Sequence, residues 1–494
     1  MSFQEDLLWA RTGRRRWERD TDEAESFYTT LARRFQGTGR TFFAMTAHVS
    51  FSVPRVQESA ELTDVQVTQA LQKAWLQIRY DHPTIASWVY FHEEKKRCRK
   101  SYETPNNPDE MQAWLDETFR IVCTSQSSQE WCNSDPPVPK LPTLFFLKHP
   151  NSHLYDLVLR AEHDIIDGVG SLHLLNNIFI HASAAFDSPG DFGAPQFGDE
   201  WRNLSPPFRI AAGIPSSPST MQKDRLDRMI KQNSLLRTGN EIATVPFKSG
   251  PTIPGRHQRV SLKLNRDSTQ KVLDSCKTIR ASVTHVYHAA LALVLRDVQQ
   301  RPEARKVRYI NYALINERGN CQHPYKTSAH AVSVYHSVSG QNLVIDMIVA
   351  ASSNNKDKRR EFHQVVDQVK GYYQAIRDDN EHVNLAPFYW ALSTPPYPPG
   401  PEAPEIPLPN EAPSASISSL GIIDNIIVPT HGSFELDDPW VTGEELGTGL
   451  GLFLGTFRGS MCLSVAYNDA WHTEQEAMDF IDRCNALVMA CLRV

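Results

Sequence analysis

Between residues 187 and 255 the chain loses its regular apolar patterning. Pro, Gly and Ser accumulate there, interrupted only by one polar helical stretch near "STMQKDRLDRMIKQNSLL". This break falls in a chain of 494 residues. A single hydrophobic core rarely grows past ~250–300 residues, so the break reads as a crossover between two lobes. The expected division is an N-terminal lobe over 1–186, a crossover over 187–255 and a C-terminal lobe over 256–494. No stretch reaches the ~18 consecutive apolar residues of a membrane span. The longest, "AALALVL" (289–295) and "LGLFLGTF" (450–457), have the length of core elements. The start, "MSFQEDLLWARTGRRRWERD", carries charge where a signal peptide needs an apolar run. Eight scattered cysteines without a CxxC pair suggest free thiols in a reducing compartment. A cytoplasmic monomer with neither a membrane nor a nucleic-acid partner is expected. The formal net charge of -6 lacks the basic face that nucleic acid would need. Arg14, Arg15 and Arg16 are followed at once by acidic residues and read as the solvated face of an N-terminal helix.

Periodicity places the elements on either side of the crossover. "LTDVQVTQALQKAWLQIRYDHP" reads as a helix, with Thr63 as cap, Gln66 completing a capping box, and Pro83 as the stop. Val67, Ala70, Ala74, Trp75 and Ile78 form its apolar stripe. "PTLFFLKH" (142–149) and "HLYDLVLRAEH" (153–163) read as antiparallel strands joined by a turn at Pro150-Asn151-Ser152. "SLHLLNNIFIHASAAF" reads as a helix with Ser171 as a possible cap. The second lobe begins near "RHQRVSLKLN" and continues with a largely buried helix over 282–298 and a strand within "KVRYINYALINERG". The proline-dense segment 394–413 must be an extended surface loop. "SMCLSVAYN" (460–468) alternates with period 2. The following helix is capped by Thr473 and Glu476, and buries Ala477, Phe480, Ile481, Cys484, Leu487, Val488 and Cys491. Strand pairs mixed with helices predict a mixed α/β sandwich in each lobe.

The chemistry-bearing feature is "RAEHDIIDGVGS" (160–171). Alternation ends at His163, which puts the ring at the end of a strand, facing a loop. Gly168 and Gly170 allow a sharp turn or a close approach to a ligand. Asp167 lies four residues on, in reach of the local backbone or of a basic side chain. A histidine here is a satisfied core residue or a general base, since its ordinary pKa lies nearest neutrality. A metal site would need further ligands. His285 and His288 in "HVYHAA" lack both an HExxH pattern and an acidic partner, and read as packed or exposed.

His163-Asp164-Ile165-Ile166-Asp167-Gly168 resembles the H-x-x-x-D-G motif of the CoA-dependent acyltransferase superfamily. That superfamily has the chloramphenicol-acetyltransferase-like fold and includes plant alcohol acyltransferases and peptide-synthetase condensation domains. "LQIRYDHPTIAS", "VTHVYHAALALVLR", "SISSLG" (416–421) and "LSVAYNDAWHTEQEAMDFID" (463–482) resemble other segments of it. The resemblance spans nearly the whole chain and is greatest to the fungal trichothecene 15-O-acetyltransferase type. It implies two lobes with an active-site tunnel between them, and no metal or bound redox cofactor. Acyl-CoA, with acetyl-CoA first, would be the co-substrate, and the acceptor a secondary-metabolite alcohol. His163 would be the base in a direct transfer, and Asp167 would orient the loop. Arg318 is a candidate partner for Asp167, with a solvated surface role as the alternative. Ser418 or Ser419, beside Gly421, is a candidate oxyanion or substrate contact, with turn capping as the alternative. Some features depart from the wider superfamily. Glu162 replaces the first histidine of the H-H-x-x-x-D-G pattern of condensation domains, and Ala86 stands where they carry an arginine. The D-F-G-W-G segment of plant enzymes has no counterpart over 421–460, and "DFGAP" (191–195) reads as loop. A condensation-type enzyme using a carrier-bound thioester, and a non-acylating binder or cyclase, remain the rival functions.

Overall fold

A computed structural model describes residues 3–56, 59–150, 152–188, 190, 192–299, 304–349, 355–400 and 402–494. Asn151 of the expected turn and Asp191 of "DFGAP" lie outside the described residues. The architecture is a mixed α/β sandwich built twice.

In the first lobe, strands Phe119–Cys123, Thr143–Lys148, Leu154–Ala161 and Met45–Ser52 form a sheet. Helices Ala60–Asp81 and Gly168–Asp187 cover one face of it. Val67, Ala74, Trp75 and Ile78 from the one, and Leu172, Leu175 and Phe179 from the other, share a single core with Phe51, Phe146 and Leu157 of the sheet. In the second lobe, strands Ala415–Ile422, Leu450–Phe457, Ser460–Asn468 and His257–Lys263 lie in that order. Met461, Leu463, Val465 and Tyr467 point into the second core, where helices Val283–Asp297 and Glu474–Leu492 pack. Ala466, on the opposite face of the same strand, packs into the first core. The period-2 pattern of 460–468 therefore serves two cores, and this strand lies at the junction of the lobes.

The chain does not keep to the expected boundary at 256. Strands Thr430–His431 and Phe434–Gly443 return to the first lobe, where the longer one pairs antiparallel with Met45–Ser52. A strand this deeply buried needs a partner for its backbone on both sides, and residues 434–443 supply one. The crossover also contributes to the second core through Ala243 and Val245. Its polar helix is Thr220–Leu235, capped by Ser219.

Three local expectations change. Ser59, not Thr63, caps the helix Ala60–Asp81. Its hydroxyl accepts the N–H of Leu62, while Thr63 sits inside the helix and donates to the Ser59 carbonyl at 2.6 Å. Asp167, not Ser171, caps Gly168–Asp187, and the Ser171 hydroxyl donates back to the Asp167 carbonyl. Arg16 begins a strand, not a helix. Strand Arg16–Asp20 pairs with Arg97–Glu103, and Glu103 and Glu110 neutralise Arg16 and Arg15. No helix among the described residues is long and apolar enough to cross a membrane.

Candidate active site

Strand Leu154–Ala161 ends two residues before His163, and the helix capped by Asp167 begins five residues after it. The intervening loop is held from below by buried charge. The Lys100 ammonium donates to the Asp164 carbonyl and to Glu25, each at 2.6 Å, and Arg19 forms a bidentate pair with Glu25. Thr29 donates to the Asp164 carboxylate at 2.6 Å. Burial pushes the Glu25 carboxyl up, but Arg19 and Lys100 outweigh this and hold it down at about 2. Such a network contributes little net stability, but each member becomes costly if left alone. It fixes the position of the loop.

The His163 ring is buried. It stacks on Tyr28 with centroids 3.8 Å apart and planes 12° from parallel, with Phe43 at 5.7 Å and His336 at 5.1 Å. Burial, joined by the nearby His336, lowers its pKa to about 3. Backbone groups of His163 and Ile166 oppose this, without a well-formed hydrogen bond to Nδ1. The ring is therefore neutral at ordinary pH. The Tyr28 hydroxyl shares a 2.9 Å hydrogen bond with His336 Nε2.

Asp167 does not reach His163 in a hydrogen bond. Both its oxygens lie 2.8 Å from Arg318 Nη1, and they also accept the N–H groups of Gly170 (2.7 Å) and Tyr335 (2.8 Å). Arg318 is buried and donates as well to Ser333 Oγ and the Ala331 carbonyl. Burial alone would raise the Asp167 carboxyl. Arg318, His336 and the Gly170 N–H outweigh it and hold the group below the usual carboxylate range. Asp167 thus ties the motif helix to a segment far along the chain.

The two glycines differ. Gly168 occupies the first helical turn, and a Cβ there would meet Val441 and Met45 at ordinary contact distances of 3.5 and 3.6 Å. The backbone does not require glycine at 168; the residue leaves open the cavity wall that it lines. A Cβ at Gly170 would overlap the Ala331 carbonyl and stand 2.7 Å from Arg318 Nη2. Gly170→Ala is therefore expected to destabilise by about 1–3 kcal/mol through overpacking, and Gly168→Ala to stay close to wild type. Urea denaturation midpoints check the contrast, and equal midpoints for the two variants would refute it.

A cavity of about 720 Å³ opens beside His163. Tyr28, Phe43 and Met45 line it from one lobe, and Tyr312, Trp390 and Leu452 from the other. Its wall is largely aromatic and apolar with a few polar groups, as small-molecule sites are. Ser418 and Ser419 both lie on this wall. The Ser419 hydroxyl accepts from Thr284 at 2.8 Å. No side-chain hydrogen bond engages Ser418 among the described residues, so its hydroxyl is available to an occupant. Gly421 has a φ of +71°, beside a register shift that ends the regular part of the strand. His288 is packed between the hydroxyls of Tyr309 and Tyr373, and His285 accepts the N–H of Ser282. Among the described residues, no three His, Cys, Asp or Glu side chains are grouped to hold a metal. Sequence reading did not find Tyr28, Phe43, His336 or Trp390. They come from distant segments with no motif of their own.

This architecture, with an H-x-x-x-D-G loop at a cavity between lobes, is the chloramphenicol-acetyltransferase-like fold. The first condensation domain of the CDA synthetase shares it, with a TM-score of 0.61 and 13% identity over 96% of this chain and 95% of that one. Within the fold the chain is similar to acetyltransferases of fungal secondary metabolism, the trichothecene type among them. Residues 8–135 match the family described as 15-O-acetyltransferase Tri3. The structure of TRI3 trichothecene 15-O-acetyltransferase from Fusarium sporotrichioides aligns with a TM-score of 0.78 and 16% identity, over 98% of this chain and 97% of that one. Acetyltransferase pigO of Monascus ruber is 23% identical over 494 residues, covering 99% of each chain. The sequence likenesses are thus to acetyltransferases, while the fold is shared with condensation domains as well.

Proposed function

We propose that this protein transfers an acyl group, most simply acetyl, from a CoA thioester to a hydroxyl of a secondary metabolite. His163 is the general base. The observation that carries this reading is the His163 ring at the wall of a substrate-sized cavity, stacked on Tyr28. Its Nδ1 is buried, which leaves Nε2 as the basic nitrogen. Nε2 takes the acceptor's hydroxyl proton as that oxygen attacks the thioester carbonyl. The tetrahedral oxyanion needs a donor, and Ser418 is the candidate. Collapse breaks the C–S bond. The proton on His163 passes to the departing thiolate, which gives free CoA and a neutral ring. Asp167 takes no proton, because Arg318 and two backbone N–H groups occupy its carboxylate.

No cysteine lines the cavity among the described residues. The reading therefore has no acyl-enzyme and requires a ternary complex, in which proximity lowers the barrier. Initial rates at several fixed acceptor concentrations, read as thiol release from acetyl-CoA, are expected to give intersecting lines. Parallel lines, or an acetylated protein mass after acetyl-CoA alone, would replace direct transfer with covalent catalysis.

A further inference from the structure

Glu445 lies in the loop between strands Phe434–Gly443 and Leu450–Phe457 and lines the cavity alongside Tyr312, Ser416 and Gly451. Its backbone is pinned on both sides. The N–H donates to His257 Nδ1 at 3.0 Å, and the carbonyl accepts from Asn468 Nδ2 at 3.1 Å. Within the side chain, Oε1 accepts the Gly447 N–H at 2.8 Å. Oε2 lies beside Gly451, where an added Cβ would stand 3.8 Å away. The preceding residue makes the contrast. Glu444 pairs with Arg160 at 3.3 Å, whereas no cation pairs with Glu445 among the described residues. The side chain is half-buried at the cavity wall, and desolvation there pushes its carboxyl up to about 7, opposed by the backbone N–H groups of Gly447 and Leu446. The fold therefore holds an ionisable group without a counter-charge in an aromatic wall, where an apolar residue would cost less. A partner brought by the cavity's occupant removes that cost.

We propose that Glu445 determines acceptor specificity: its carboxyl hydrogen-bonds a hydroxyl or protonated amine carried by an otherwise apolar, aromatic acceptor. The inference rests on the reading of the cavity as the acceptor's site. The same donor chemistry could come from the amide N–H groups of a pantetheine arm, so the test separates the two sources.

The probes are tryptamine hydrochloride, tryptophol and 3-propylindole, which share one ring and differ at the end of a short chain. Each is titrated calorimetrically into the wild type, Glu445→Gln and Glu445→Leu, with acetyl-CoA in a separate titration. The wild type is expected to bind tryptamine or tryptophol at least tenfold more tightly than 3-propylindole. In Glu445→Gln, which keeps an oxygen for the Gly447 N–H, that ratio is expected to fall to about two or less. Affinities for 3-propylindole and acetyl-CoA should be unchanged. Should Glu445→Leu fail to fold, the glutamine variant alone decides. A wild type without the preference, or a preference that survives in the variants, would overturn the proposal. Weakened acetyl-CoA binding with an intact tryptamine ratio would also overturn it, by assigning the carboxyl to the donor. If acetyl-CoA fails to bind the wild type, the acyl-transfer reading falls, and the amine ratio still decides the role of Glu445.

Discussion

His163→Ala is expected to lower turnover with acetyl-CoA by about 10²–10⁴-fold, the usual contribution of a positioned general base. The fold should survive, because the ring lies at a cavity wall and the loop around it is held by other groups. Lys100 and Thr29 grip Asp164, and Arg318 grips Asp167. Thermal melting should be close to that of the wild type, and Tyr28 loses only a stacked neighbour. Thiol release at saturating acceptor is the measurement. A folded variant with wild-type turnover would remove His163 from the chemistry.

The pH profile offers a further check. Burial holds His163 neutral down to about 3, so this group should give kcat/KM no acidic limb between pH 5 and 8. A limb centred near the ordinary histidine value of about 6.5 that vanished in a conservative variant would mean that the ring is hydrated in the working protein. The same burial has a consequence for stability. His82, His163, His257 and His288 all have folded pKa values pushed well below their unfolded ones. The unfolded chain then binds more protons between the two values. Stability is full above about 6.5 and falls as pH drops toward the folded values.

Much of the fold was legible in the sequence because single elements carry their own periodicity and caps. The closing helix is an example. Thr473 and Glu476 form the expected capping box, and Ala477, Phe480, Ile481, Cys484, Val488 and Cys491 are buried while Leu487 is partly so. Caps were misplaced where two hydroxyls or carboxylates stood within a few residues. Thr63 and Ser171 both bond to a carbonyl one turn back, and only the backbone trajectory separates that role from capping. The return of residues 434–443 to the first sheet could not be read, because strand pairing across nearly 400 residues leaves no local trace. The site divides in the same way. The loop from His163 to Gly170 is contiguous and carries a motif. Tyr28, His336 and Trp390 surround it from three separate segments, and each would pass as an ordinary core aromatic.

Asp167→Asn is expected to destabilise the protein by about 3–5 kcal/mol, the cost of leaving one member of a buried ion pair alone. Both side chains of the pair are almost fully buried, at 5% and 4% exposure. Arg318 would keep its charge and lose its anionic partner: an asparagine Oδ1 can still accept from Nη1, but the amide nitrogen in place of Oδ2 would face Arg318 Nη1 and the Tyr335 N–H as a donor against donors. The asparagine could still cap the helix through Gly170, so the loss is not that of a helix cap. Removing the arginine as well tests this directly. Asp167→Asn combined with Arg318→Met should recover part of the stability lost by either single change, giving a coupling energy beyond the sum of the two. The pH dependence has the opposite origin to that of the histidines and the same direction. Asp167 has a folded pKa below its unfolded value, so its contribution is present above the ordinary aspartate range and is lost as pH falls through the folded value. Urea denaturation at pH 7 and at pH 3 should therefore show a smaller gap between variant and wild type at the lower pH. Activity should fall with stability, through displacement of His163. A variant that unfolds like the wild type yet transfers no acyl group would instead give the Asp167 carboxylate a place in the reaction itself.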